Sequence, residues 1–106
     1  MKLWIDDCRP APYIKYIPAI KSVNEAKRII QEIETMHFMG AAAIELIDID
    51  HDAGDYVNDG GDYIKLLDWL EETGRNYPIR IHSMNPVGVA NMRAIIKRNG
   101  WTEVIV

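Results

Sequence analysis

The sequence predicts a small α/β domain: five strands in a mostly parallel sheet, with helices packed on both faces. Three observations predict it. Short apolar runs alternate with longer segments of helical period after a first, hairpin-like step. Start and stop signals bracket the helical segments: Ser22 with Glu25, Asn85 with Pro86, and glycines at 40, 74 and 100. No repeat, low-complexity segment or linker interrupts the pattern, so residues 1–106 read as a single domain. Strand–helix–strand alternation of this kind implies right-handed crossovers between parallel strands.

Taken in order, Lys2–Ile5 (KLWI) is a short apolar run ending in two acids, as a buried first strand would. The prolines in CRPAPY forbid a regular helix after it. Around Lys15–Ile20 (KYIPAI) lies a second strand, irregular or at an edge, because Pro18 cannot donate to a ladder. Ser22 and Glu25 have capping-box spacing, and Ala26, Ile29, Ile30 and Ile33 supply the buried face of the helix they open. Gly40 stands where a C-cap glycine belongs. Ala42–Ile49 (AAIELIDI) forms the third strand, and Asp52–Asp62 is a glycine- and acid-rich loop. Tyr63–Glu72 forms a second helix with Ile64, Leu67 and Leu70 on one face. Ile79–Ser83 (IRIHS) follows Pro78 as the fourth strand. Asn85 and Pro86 suit the N-cap and first position of a third helix, whose face is Val89, Met92, Ile95 and Ile96. Thr102–Val106 (TEVIV) closes the chain as a fifth strand.

Composition narrows the function. Hydrophobic residues make up 48% of 106, which argues against disorder. No apolar run is long enough to span a bilayer, and the N-terminus is not built like a signal peptide, so no membrane role is expected. The single cysteine, Cys8, cannot form an internal disulfide, and a reduced cytoplasmic setting is expected. A net charge of −4 disfavours gripping long duplex nucleic acid but leaves room for a small phosphorylated ligand. A pocket in so small a chain invites a partner, and a homo-oligomer is one expectation.

In a flavodoxin-like strand order, 2-1-3-4-5, ligands bind beyond the carboxyl ends of the strands. Asp6 and Asp7 follow the first strand, Asp50, His51 and Asp52 the third, and His82, Ser83 and Asn85 the fourth. Neighbouring strands are only about 4.8 Å apart, so these groups converge in one crevice. Carboxylates gathered so closely repel, and a divalent cation resolves the repulsion. An all-oxygen set without a thiolate cluster suits Mg²⁺ or Mn²⁺ better than zinc. Asp6, Asp7 and Asp50 are the expected ligands. Asp52 is a further ligand or an Asx-turn residue. Counting an EF-hand loop from Asp48 or from Asp50 puts the wrong residues at the glycine and glutamate positions, so a calcium loop is excluded.

The segments LWIDDCRPAP, IDHDAG, DGGDYIKLLDWL and IRIHSMNPVGVANM resemble the cyclic-phosphate-processing receiver-like domains, degenerate relatives of response-regulator receiver domains. The resemblance runs from Leu3 to about Trp101. It implies a three-layer receiver-like fold, from which this chain departs by a degenerate first helix and no last helix. It implies a metal site at Asp6, Asp7 and Asp50, a phosphate contact at Ser83, and action on a cyclic phosphodiester, either a cyclic nucleotide or a terminal cyclic phosphate of RNA. The receiver lysine after the fifth strand has no counterpart in EVIV, which weighs against a phosphorylation switch.

Cleaving a cyclic phosphodiester needs a base for water and an acid for the leaving alkoxide, and His51 and His82 suit both tasks. Which does which stays open, as does an aspartyl-phosphate at Asp50. Ser83, Asn85 and Arg9 are the expected phosphate contacts. Asp48 shares a strand face with Asp50 and reads as a satisfied structural acid or an extra ligand. His37 reads as a helix C-terminal residue, Cys8 as an inert thiol, and the three tryptophans as packing. The leading expectation is therefore a metal-dependent phosphoesterase. The alternatives are a module that captures a cyclic phosphate without turnover, or an interaction domain phosphorylated on Asp50.

Overall fold

A computed structural model describes residues 1–12, 16–38, 40 and 43–105, with the backbone alone at 17–19 and 38. The expected strand residues Lys15, Ala42 and Val106 lie outside the described residues. The elements are β1 (Lys2–Ile5), β2 (Tyr16–Ile20), α1 (Val23–Phe38), β3 (Leu46–Ile49), a 3-10 turn (Gly54–Tyr56), α2 (Ile64–Glu72), β4 (Ile79–Ile81) and α3 (Pro86–Asn99). The sheet has four strands in the order β2-β1-β3-β4, and every pairing is parallel.

Three expectations are corrected. The first step is not hairpin-like, because β1 and β2 pair in parallel and the chain between them must return across the sheet. The fifth strand is reduced to one bridge between Ile79 and Glu103, fixed by hydrogen bonds from Ile79 N–H to the Thr102 carbonyl and from Val104 N–H to the Ile79 carbonyl. Its position beside β4 is nevertheless the one that the order 2-1-3-4-5 assigns. Finally, the helices do not cover both faces. Buried residues of α1, α2 and α3 form one cluster with Leu3, Ile5, Ile47, Ile49 and Ile79. Trp4, Tyr16 and Leu46, on the opposite face, form a separate small cluster with Ala11 and Val104. Among the described residues this is a two-layer fold whose second face is covered by loop segments.

Handedness explains the asymmetry. The steps β2 to β3 and β3 to β4 travel the same way along the sheet, so right-handed crossovers place α1 and α2 on one face. The step from β1 to β2 travels the other way, and no helix occurs in its described residues.

The local signals act as the sequence suggests. The Ser22 hydroxyl accepts from Glu25 N–H at 3.1 Å, while the Glu25 carboxylate reaches back to Lys21 N–H at 3.0 Å, one residue before the usual capping-box partner. The Asn85 side chain caps α3 by accepting from Gly88 N–H at 3.0 Å. Gly100 ends α3 at φ 66°, a left-handed conformation that suits glycine. The register of β2 shifts between the pairs Leu3–Ile17 and Ile5–Ile20, the stretch that holds Pro18, so β2 is the irregular edge strand expected. No helix among the described residues is long and apolar enough to cross a membrane.

Leu67 is fully buried in the main core. Leu67→Ala is expected to cost about 2–5 kcal/mol, through lost burial and the cavity left behind. Urea denaturation at neutral pH checks this: the midpoint should fall with an unchanged slope.

Candidate functional site

Strand alternation builds the site. Residues two apart share a face, so Trp4 with Asp6, Asp48 with Asp50, and Arg80 with His82 all project from the face opposite the helices. The register then sets them side by side, with Trp4 beside Asp48 and Asp48 beside Arg80.

Asp6 is buried, and both its oxygens are engaged. Oδ1 accepts the backbone N–H groups of Cys8 and Arg9, each at 3.0 Å, turning the chain sharply after β1. Oδ2 accepts Arg9 Nε at 3.0 Å and faces His82 Nε2 at 2.9 Å. That turn brings the Arg9 guanidinium across the strand ends, where Nη2 donates to Asp50 Oδ2 and to the His82 carbonyl, each at 3.0 Å. Burial pushes the Asp6 carboxyl up. The backbone N–H groups of Arg9 and Cys8, with His82 and the Arg9 charge, outweigh it and hold Asp6 below the ordinary carboxylate range.

His82 is clamped on three sides. Its Nδ1 lies 2.6 Å from Asp48 Oδ1, its Nε2 faces Asp6, and its ring stacks on Trp4 with centroids 3.9 Å apart and planes 2° from parallel. Both ring nitrogens therefore face carboxylate oxygens, and both donate only in the imidazolium form. Asp48 is fully buried; Oδ2 also accepts the Tyr16 hydroxyl at 2.7 Å and Arg80 Nη1 at 3.1 Å. Burial pushes the Asp48 carboxyl up, but hydrogen bonds from His82 and Tyr16 and the charges of His82 and Arg80 bring it below the ordinary range.

A second group stands beside the first. The His51 backbone N–H donates to Asp50 Oδ1 at 2.7 Å, and its ring Nδ1 lies 2.8 Å from Asp52 Oδ1. Asn85 Nδ2 reaches both His51 Nδ1 and Asp52 Oδ1 at 3.4 Å. The ring packs on the first turn of α3 at Gly88, where a Cβ would stand 2.5 Å from its Cδ2. Only glycine permits that approach. The bond from His51 lowers the Asp52 carboxyl, with burial opposing and Asn85 assisting.

The expected site residues thus divide. Asp6, Asp50, His82 and Arg9 come together, while His51, Asp52 and Asn85 form the adjoining group. Asp52 serves the His51 ring. The Asp7 carboxylate packs over Gly54, and Asp7 groups with Asp6 and Cys8 rather than with Asp50. Partial desolvation and the charges of Asp7 and Asp6 push the Cys8 thiol up, in keeping with an inert thiol. The Ser83 hydroxyl accepts Asn85 N–H at 3.1 Å and borders a groove lined by Ile81, Met84, Pro86 and Val89. Sequence reasoning missed Trp4, Tyr16 and Arg80 as partners of the site. The available signal was alternation: Trp4 is two residues before Asp6, and Arg80 two before His82.

The donor set fits a divalent cation in one respect. One ligand atom each from Asp6, Asp50 and His82 lie within 4.8 Å of one another. The Arg9 guanidinium bridges the two carboxylates of that set.

Two outcomes follow from this geometry. Asp6 and Asp48 have lowered folded-state pKa values, so the stability they contribute is present above the unfolded value of about 4 and is lost as pH falls through the folded values. The urea midpoint is expected to drop below about pH 4, and a midpoint that rises on acidification would contradict it. Gly88→Ala is expected to displace the His51 ring. Its aromatic ¹H–¹³C resonance should shift while the far-ultraviolet circular dichroism stays unchanged.

No curated protein and no solved structure matches the chain significantly. A family model described as the cyclic-phosphate processing receiver domain matches residues 1–98. With its parallel sheet and its acids at the strand ends, the chain belongs to the cyclic-phosphate processing receiver domain family.

Proposed function

We propose that this domain opens a cyclic phosphodiester by hydrolysis, with the phosphate seated beyond the carboxyl ends of β1, β3 and β4. One observation carries the reading: two imidazoles stand at neighbouring strand ends, His51 against the carboxylate of Asp52 and His82 between those of Asp48 and Asp6. His51 Nδ1 faces Asp52, so the neutral ring carries its hydrogen there and leaves Nε2 as an acceptor. His82 has carboxylates on both nitrogens, so an imidazolium there would donate to each. On this reading His51 serves as the base and His82 as the acid that such a reaction needs.

The chemistry balances with these two side chains. Water attacks phosphorus as His51 Nε2 takes its proton. The phosphorus–oxygen bond of the ring breaks, and the leaving alkoxide receives the proton of His82 Nε2. The product is a linear phosphate ester. Arg9 has an accessible guanidinium and would turn it to the phosphate oxygens, with Asn85 and Ser83 as further contacts. Asp6 and Asp50 would hold Mg²⁺ or Mn²⁺, whose charge would offset that of the phosphate and polarise phosphorus. The ligand class follows the family description and the small, acid-rich site.

Phosphorus NMR tests the proposal. The protein with Mg²⁺ or Mn²⁺ is mixed with cyclic mononucleotides, cyclic dinucleotides and RNA ending in a cyclic phosphate. A cyclic signal converting to a linear ester, lost with chelator, is expected for one of these classes. His82→Ala and His51→Ala should each slow conversion by roughly 10²- to 10⁴-fold. Signals that shift without converting would replace hydrolysis with capture.

A further inference from the structure

We propose that Asp48 is a positioning residue that holds the His82 ring so that Nε2, and not a ring carbon, faces the reacting phosphate. The inference rests on the assignment of His82 as the proton donor. It gives a task to a buried carboxylate that neither ligates nor touches the proposed substrate position.

A purely structural acid at this position already has a partner. Arg80 stands directly across the ladder from Asp48 and reaches it at 3.1 and 3.3 Å. The shorter contacts go elsewhere: His82 Nδ1 at 2.6 Å on Oδ1 and the Tyr16 hydroxyl at 2.7 Å on Oδ2. The carboxylate is thus oriented from both sides, by Tyr16 and Arg80 on one oxygen and by the imidazole on the other. Trp4 fixes the plane of the ring by stacking at 3.9 Å. A stacked plane still allows two orientations. Turning an imidazole by 180° about its Cβ–Cγ bond exchanges Nδ1 with Cδ2 and Nε2 with Cε1. Trp4 accepts both orientations, because it presents only a flat face. Asp48 accepts one, because a C–H cannot replace the N–H donated at 2.6 Å. Of the groups around the ring, Asp48 is the one that reads Nδ1. Asp6 then meets Nε2 at 2.9 Å, beside Arg9 and Asp50.

The readout is the ¹H–¹⁵N spectrum of the ring at one fixed, near-neutral pH, beside the turnover assay. In the wild-type protein a slowly exchanging, far-downfield Nδ1–H of His82 is expected, and its absence overturns the proposal before any variant is made. Asp48→Asn, close to isosteric, should move that signal upfield and lower kcat by roughly 10² to 10⁴-fold with KM little changed. Tyr16→Phe removes another partner of Asp48 and leaves the carboxylate; it should keep the Nδ1–H signal and most of the turnover. An unchanged His82 spectrum in Asp48→Asn overturns the proposal. So does a Tyr16→Phe protein that loses signal and turnover as fully as Asp48→Asn, since that marks general structural damage. If no cyclic phosphodiester is turned over by the wild-type protein, the hydrolytic reading falls, and the spectra still decide whether Asp48 sets the ring.

Discussion

A carboxylate at the centre of the central strand constrains the rest of this fold. Asp48 interrupts an otherwise apolar run, and it has no exposure at all. An isolated charge there would be prohibitive, so its neighbours must answer it. Tyr16 comes from the edge strand, Arg80 from the ladder partner, and His82 from just beyond the end of β4. The same imidazole then joins Asp48 to Asp6, and Arg9 joins Asp6 to Asp50. Three carboxylates meet two guanidiniums and one imidazole ring.

Sheet topology makes room for such a network. All three helices press on the face that carries Leu3, Ile5, Ile47 and Ile49. That face is apolar and closely covered, and it supplies the hydrophobic stabilisation. The opposite face is freed from that duty and can hold a line of charges under loop segments. Alternation along each strand separates the two tasks within single strands: Ile47 and Ile49 serve the core, Asp48 and Asp50 the site. A one-residue slip of β3 would exchange them, so the buried charges also fix the register.

Much of this was legible in the sequence, and the misses have physical reasons. The strand order and the gathering of Asp6, Asp50 and His82 follow from connectivity and from where such sheets bind ligands. The single helical layer was also implied by that order, but only if the direction of each crossover is followed along the sheet. TEVIV reads as a strand because its residues favour one; with pairing at Glu103 alone, propensity there did not become a ladder. The partners of Asp48 are distant in sequence. Arg80 becomes its neighbour only once β3 and β4 are in register, and no local pattern states that register. Asp52 looks like one more acid in a cluster, and its 2.8 Å contact with the His51 ring is what sets it apart.

Arg9 shows how the charge balance bears on chemistry. Asp6 receives two backbone N–H groups on one oxygen, and Arg9 and His82 on the other. It has little remaining capacity to accept. A divalent cation bound there competes with a guanidinium for the same oxygens, and the weaker claim belongs to the side chain that is more exposed. The Arg9 side chain is 45% accessible, whereas the side chain of Asp6 is fully buried. Movement at this site therefore falls to Arg9, since Asp6 is pinned by the turn it makes. A guanidinium released from two carboxylates beside an incoming phosphate has a partner of matching geometry at hand. On the proposed reading, an arginine that bridges Asp6 and Asp50 is the group a phosphate would meet first.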